Sequence, residues 1–170
     1  MPLHGRALVI VEEGRLKDAI SRANAIDALD QLSGDVAQYL VLRVAGWLEQ
    51  SAYELARARC RRHVSGPVLS FSLSHLERTT NPWCEQLVIL VGRFDAGWQS
   101  TLDAFLAGER KDAINSLMGL RTRIAHGEAS TARTSVARVA GYYQSCSEVV
   151  ELLCDLLDPP VPQEYVAVPA

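Results

Sequence analysis

The chain has 170 residues, of which 48% are hydrophobic and 22% charged, with a formal net charge of −3. That length and make-up suit one soluble globular domain with enough residues to bury a core. A protein that captured nucleic acid by broad electrostatics would be basic, so any such contact here must come from local patches. No apolar run approaches bilayer-spanning length, which argues against a membrane partner. The start, "MPLHGRALVIVEEG", has a five-residue apolar run followed by two glutamates, unlike a signal peptide. Cys60, Cys84, Cys146 and Cys154 form no CxxC pair and have no histidine at zinc-ligand spacing. They read as reduced, buried thiols of a cytoplasmic protein.

The periodicity is helical nearly throughout. "ALVIV" at 7–11 reads as either a short strand or a docking arm. A first helix is expected from Glu13 to about Leu32, with Leu16, Ile20, Ala23 and Ile26 on one face. Ser33 or Asp35 caps a second, from about Asp35 to His63. Its two apolar stripes are Val36, Leu40, Val44, Trp47, Leu55 and Ala58, and then Leu42, Ala45, Ala52 and Ala56. A long helix apolar on two sides is a central helix. "SGP" ends it, and a shorter helix runs from about Val68 to Arg78. "TTNP" at 79–82 is a turn. Trp83, Leu87, Leu90, Val91 and Phe94 mark the next helix, "DAGW" interrupts, and Leu102, Phe105 and Leu106 resume the pattern. A helix from about Arg110 to Ala125 stops at Gly127. The last spans about Thr131 to Leu157, with apolar residues in threes and fours as a bundle helix requires. The expected fold is therefore an all-α bundle. Its parts are an N-terminal arm and first helix (1–34), a helical domain (35–157) and a proline-rich tail (158–170).

The polar groups worth explaining lie in "LRTRIAHGE", residues 120–128. Arg121 follows Leu117 by four residues and Ile114 by seven, so it falls on the apolar face, whereas Arg123 aligns with Asp112, Ser116 and Gly119. An inward guanidinium needs a carboxylate or a wet cleft. Glu49, between Ala45 and Ala52 on the central helix, is the candidate partner, and a plain structural salt bridge is the competing explanation. His126 comes five residues after Arg121, so the two diverge by roughly 140° on a regular helix. They converge only if the helix ends between them or if two chains build one site. A second basic cluster, "RARCRRH", offers Arg57, Arg61 and Arg62 as RNA-binding candidates. Complementing the negative end of the helix dipole explains the same residues without RNA. Trp47, Trp83 and Trp98 have the shape to stack bases, but helical spacing favours core positions for each.

"LMGLRTRIAHGE" resembles the signature of the HEPN superfamily of helical nucleotide- and RNA-binding domains. That signature is an arginine, four to six residues, then a histidine late in a bundle helix. "VLRVAGWLEQSAYELA", "NPW" and "ARVAGYYQSCSEVVELL" resemble its RiboL-PSP-type branch, over roughly residues 35–157. The resemblance implies a HEPN-like bundle and a metal-independent endoribonuclease without cofactor, of the kind found among toxins and phage-defence effectors. It also implies a homodimer that joins two arginine–histidine motifs, an RNA substrate, and an antitoxin or nucleotidyltransferase as partner. By that analogy Arg121 and His126 are catalytic, and Glu49, Thr122 and Arg123 support them. Active members commonly carry Asn, Asp or His directly after the arginine, where this chain has Thr122. The alternative is a non-catalytic module of the same superfamily that binds nucleotide, RNA or a protein.

Overall fold

The computed structural model describes residues 3–26, 32–76, 83–128 and 132–160. Among them, 84% are helical and none is in a strand, as the periodicity required. The helices are α1 (Gly5–Asn24), α2 (Leu32–His63), α3 (Gly66–Leu76), α4 (Cys84–Gly92), α5 (Ala96–Phe105), α6 (Glu109–Ala125) and α7 (Val136–Leu157). "ALVIV" is neither strand nor arm. It lies in the first two turns of α1, because Val9 continues the stripe of Leu16, Ile20 and Ala23 into the core. The expected start at Glu13 was therefore about two turns late. The last helix starts at Val136 and not near Thr131, because residues 132–135 are not helical and Ser135 is its cap. The turn at 79–82 and the tail beyond residue 160 lie outside the described residues.

The central helix is α2, covered by α1, α6 and α7. Leu40, Val44, Leu48, Leu55 and Ala56 are fully enclosed, and Ala45 and Ala52 nearly so. One member of the second stripe differs. Leu42 is 40% exposed, because it lies at the edge of the surface shared with α1. Trp47 is core, tilted against Tyr143 of α7 with ring centroids 5.8 Å apart. Two helices start by local side-chain capping: Asp95 accepts from Trp98 N to begin α5, and Ser135 accepts from Arg138 N to begin α7. The interruption read in "DAGW" is this cap. No helix among the described residues is long and apolar enough to cross a membrane.

Polar groups fix the register of the three long helices. At one end, Asp158 is 8% exposed. It accepts from Arg6 N in the first turn of α1 at 2.9 Å and pairs with Arg62 in the last turn of α2. Its carboxylate therefore meets the positive end of one helix dipole and a cation placed on the negative end of another. Gly5 makes this close approach possible. Its φ is +56°, and a Cβ there would collide with the Asp158 carboxylate. Further along α1, Glu13 Oε1 accepts from Tyr143 Oη and Ser147 Oγ, both at 2.7 Å, and lies 3.2 Å from Lys17 Nζ.

Two outcomes follow from these contacts. Asp158→Ala removes a cap and a charge-assisted hydrogen bond and should cost about 3 kcal/mol in denaturant unfolding. Asp155→Ala, whose carboxylate is 59% exposed in its pair with Arg6, should cost less than about 1 kcal/mol. Burial works against ionising Glu13, but the hydrogen bonds from Ser147, Tyr143 and Lys17 outweigh it and hold its carboxyl below the usual carboxylate range. Folding then favours the ionised form. The stabilisation is complete above the unfolded carboxylate value and disappears as pH falls through the lower folded value. Thermal unfolding followed from pH 7 to pH 3 should show a smaller loss of stability in Glu13→Gln than in the parent.

Candidate functional site

The site is built where α6 crosses α2. Ile114, Leu117, Met118 and Leu120 are buried and press α6 onto the bundle. Across from them, Ala45 and Ala52 are 1% and 3% exposed, and their small side chains let the helices come close. Glu49 sits between these alanines and meets Arg121, with Nη2 and Oε2 3.5 Å apart. The side chains are 33% and 18% exposed, so the pair lies at the rim of the core. The separation exceeds the ~2.7–2.9 Å of a tight charge-assisted bond, so Glu49 orients the guanidinium without closing a bidentate clamp on it. Arg123, two residues on, is exposed, and Thr122 is half-buried.

The end of α6 follows from Gly127. Its φ of +81° is the left-handed conformation of a helix-terminating glycine. Gly127 N donates to Ile124 O at 3.1 Å and Glu128 N to Arg123 O at 2.9 Å, which satisfies two of the last carbonyls. His126 is thereby the C-cap, its own N–H bonded to Thr122 O at 3.1 Å and its side chain exposed. Arg121 is thus turned toward Glu49 on α2, and the His126 side chain is exposed at the helix terminus.

One neighbour was missed in the sequence. Tyr53 lies one turn beyond Glu49 on α2, and its hydroxyl is buried with no hydrogen-bond partner among the described residues. Burial and the Glu49 carboxylate push its phenol pKa upward, and Arg57 opposes them. The i, i+4 spacing of Glu49, Tyr53 and Arg57 was the available signal, hidden because tyrosine reads as core at such a position.

The basic run does not form one strip. Arg57 pairs with Glu54 at 3.0 Å, Arg62 with Asp158, and Arg59 lies over the Trp98 ring at 4.8 Å. Arg61 is exposed. The run begins about 12 Å along α2 from Glu49 and ends about 20 Å away. Trp83, at the start of α4, is 36% exposed. The four cysteines are buried free thiols. Burial pushes Cys84 and Cys154 up to about 11, and Cys60 and Cys146 upward too, so none is a thiolate nucleophile at neutral pH. No group of three or more His, Cys, Asp or Glu among the described residues is placed to hold a metal ion.

The terminus can be tested through its glycines. A Cβ on Gly127 or on Gly119 would meet open space, so steric crowding is equal at the two. Gly127→Ala should still destabilise the chain by about 1 kcal/mol, because only its φ is strained. Gly119→Ala, inside α6, should be neutral or stabilising by up to about 1 kcal/mol. Denaturant unfolding of the two variants checks this.

No family model, curated protein or solved structure matches this chain.

Proposed function

We propose that this chain is a metal-independent HEPN-type endoribonuclease that works as a twofold dimer, of the toxin or phage-defence kind. The observation that carries the reading is the pair of unlike groups at the end of α6. A guanidinium steadied by Glu49 precedes by five residues an exposed imidazole on a glycine-stopped terminus. These are the groups that 2′-OH attack on an RNA phosphodiester needs. Negative charge grows on the phosphoryl oxygens, and Arg121 supplies fixed donors for it. His126 takes the 2′-OH proton, and a second His126 from the other protomer returns a proton to the leaving 5′-oxygen. An isologous pairing about α6 brings the exposed His126 of one chain toward the Arg121 of the other, which removes the divergence within a single helix. Arg123 and Arg61, both exposed, would meet the RNA backbone, whereas Arg57 and Arg62 are engaged by Glu54 and Asp158.

Thr122 favours the second reading, a non-catalytic module that binds nucleotide, RNA or a protein partner through the same surface. One experiment separates the two. Purified protein is incubated with single-stranded RNA in EDTA, beside His126→Ala and a DNA control. Catalysis predicts cleavage ends bearing a 2′,3′-cyclic phosphate, inert DNA, and at least about a hundredfold loss in His126→Ala with helicity intact. Light scattering at micromolar concentration should give a dimer. Intact RNA together with saturable nucleotide binding would replace the nuclease by the binding module.

A further inference from the structure

The helix with least cover is α3. Only Val64 and Ser65 separate it from α2, which is its main neighbour among the described helices. Leu76 is buried, and Leu69 and Leu73 pack against the core. The other side carries a second stripe, Val68, Phe71 and His75, at helical spacings of three and four, and all three are exposed. Phe71 is 73% and Val68 59% exposed, although both are large and apolar. The His75 ring stacks on Phe71 with centroids 6.5 Å apart. Polar groups do little to suit this stripe to water. The helix, "GPVLSFSLSHL", has no Asp, Glu, Lys or Arg. The Ser72 and Ser74 hydroxyls donate back to Val68 O and Phe71 O, at 2.9 and 2.8 Å.

The chain returns to this place after α7. Asp158 pairs with Arg62, and Pro159 O accepts from Arg62 Nη1 at 3.4 Å. The segment 161–170 therefore sets out from the end of α2 at which α3 begins. Its sequence is "VPQEYVAVPA", with Glu164 as its one charged side chain and Val161, Tyr165, Val166 and Val168 as its large apolar ones. Ten residues of extended, proline-rich chain reach about 31 Å. The 11 residues of α3 extend only about 16 Å.

We propose that the segment 161–170 packs lengthwise on the outer stripe of α3, with Tyr165 and Val166 over Val68 and Phe71. The match is one of reach and of chemistry. Tyr165 lies five residues beyond Pro160, about 16 Å of extended chain, and Phe71 lies about 8 Å along α3 from Gly66. An uncharged apolar stripe suits a segment with a single charge, and it offers no cation to a nucleic acid. Docked in this way, the segment ties α3 to the end of α7. The contact is independent of the α6 terminus and of the nuclease reading.

The test is hydrogen exchange of residues 66–76, read by mass spectrometry in the full chain and in a chain stopped after Pro160. Exchange should be at least about tenfold slower in the full chain, while residues 96–105 of α5 exchange equally in both. In the full chain, Tyr165→Ser should exchange like the shortened chain, and Gln163→Ser like the parent. Phe71→Ala, at a 73% exposed position, should keep helicity and abolish the difference between full and shortened chains. In the parent, nuclear Overhauser contacts should join the Phe71 and Tyr165 rings. Equal exchange of 66–76 in the full and shortened chains overturns the proposal. Full protection in Tyr165→Ser overturns it as well. Protection that is lost on dilution makes the occupant a second copy and overturns the contact within one chain.

Discussion

Everything in this bundle depends on the register between α2 and α7, and one carboxylate does most to set it. Asp158 ends α7, caps the first turn of α1 and pairs with Arg62 at the end of α2. Trp47 and Tyr143 meet nearer the other end of the same two helices, and both pairs are 96 residues apart in sequence. A constant offset means that α2 and α7 run parallel without slipping. Tyr143 then reaches across to Glu13, which locks α1 antiparallel to both. Apolar burial supplies most of the free energy, but it is indifferent to a slide of one turn along a stripe of leucines and valines. Directional contacts at both ends remove that freedom.

Register matters to the site because Glu49 has no way to choose its partner. It meets Arg121 because α6 is fixed against α2 and α7, in part by the Arg110–Glu148 pair at 2.7 Å. A shift of one turn along α2 would put Ala45 or Tyr53 opposite the guanidinium. The first would leave it without its carboxylate, and the second would give it a phenol. Either would leave a half-buried charge poorly compensated. The position of Arg121 is therefore a consequence of contacts as far away as Asp158, although its local cause is a 3.5 Å ion pair.

The parts of this architecture that repeat were legible in the sequence. The helical class, the central role of α2, the split between Arg121 and Arg123 and the stop at Gly127 all follow from 3.6-residue spacing or from glycine's access to positive φ. What was not legible depends on contacts between distant segments. "ALVIV" looks like a strand because three β-branched residues, Val9, Ile10 and Val11, stand together, and only the burial of Val9 in the core shows why helix wins. Asp158 reads as the first residue of a loose tail, since nothing local reveals that the start of α1 lies beside it. Arg57 and Arg62 read as a basic patch, because sequence counts charges without showing that Glu54 and Asp158 already hold them. Tyr53 is the same problem in reverse. A tyrosine on a buried stripe is ordinary until its hydroxyl proves to have no partner.

The two flanks of α2 show how small residues serve opposite ends. Toward α6, Ala45 and Ala52 are buried, so their lack of bulk has been used up by the close approach of another helix. Large side chains at those positions would push α6 outward and separate Arg121 from Glu49. Toward α1, Gly46 has no neighbour within 4 Å, so the space it provides remains open. The difference lies in what faces each residue. α6 is short, pressed down by Ile114, Leu117 and Met118, and free to settle onto α2. The approach of α1 is limited by contacts at Asp158 and at Tyr143, which hold its length at a fixed height above α2. A glycine beneath a helix held in that way cannot draw it closer. The void persists for a structural reason, and Trp47 is left at its wall with an unsatisfied donor.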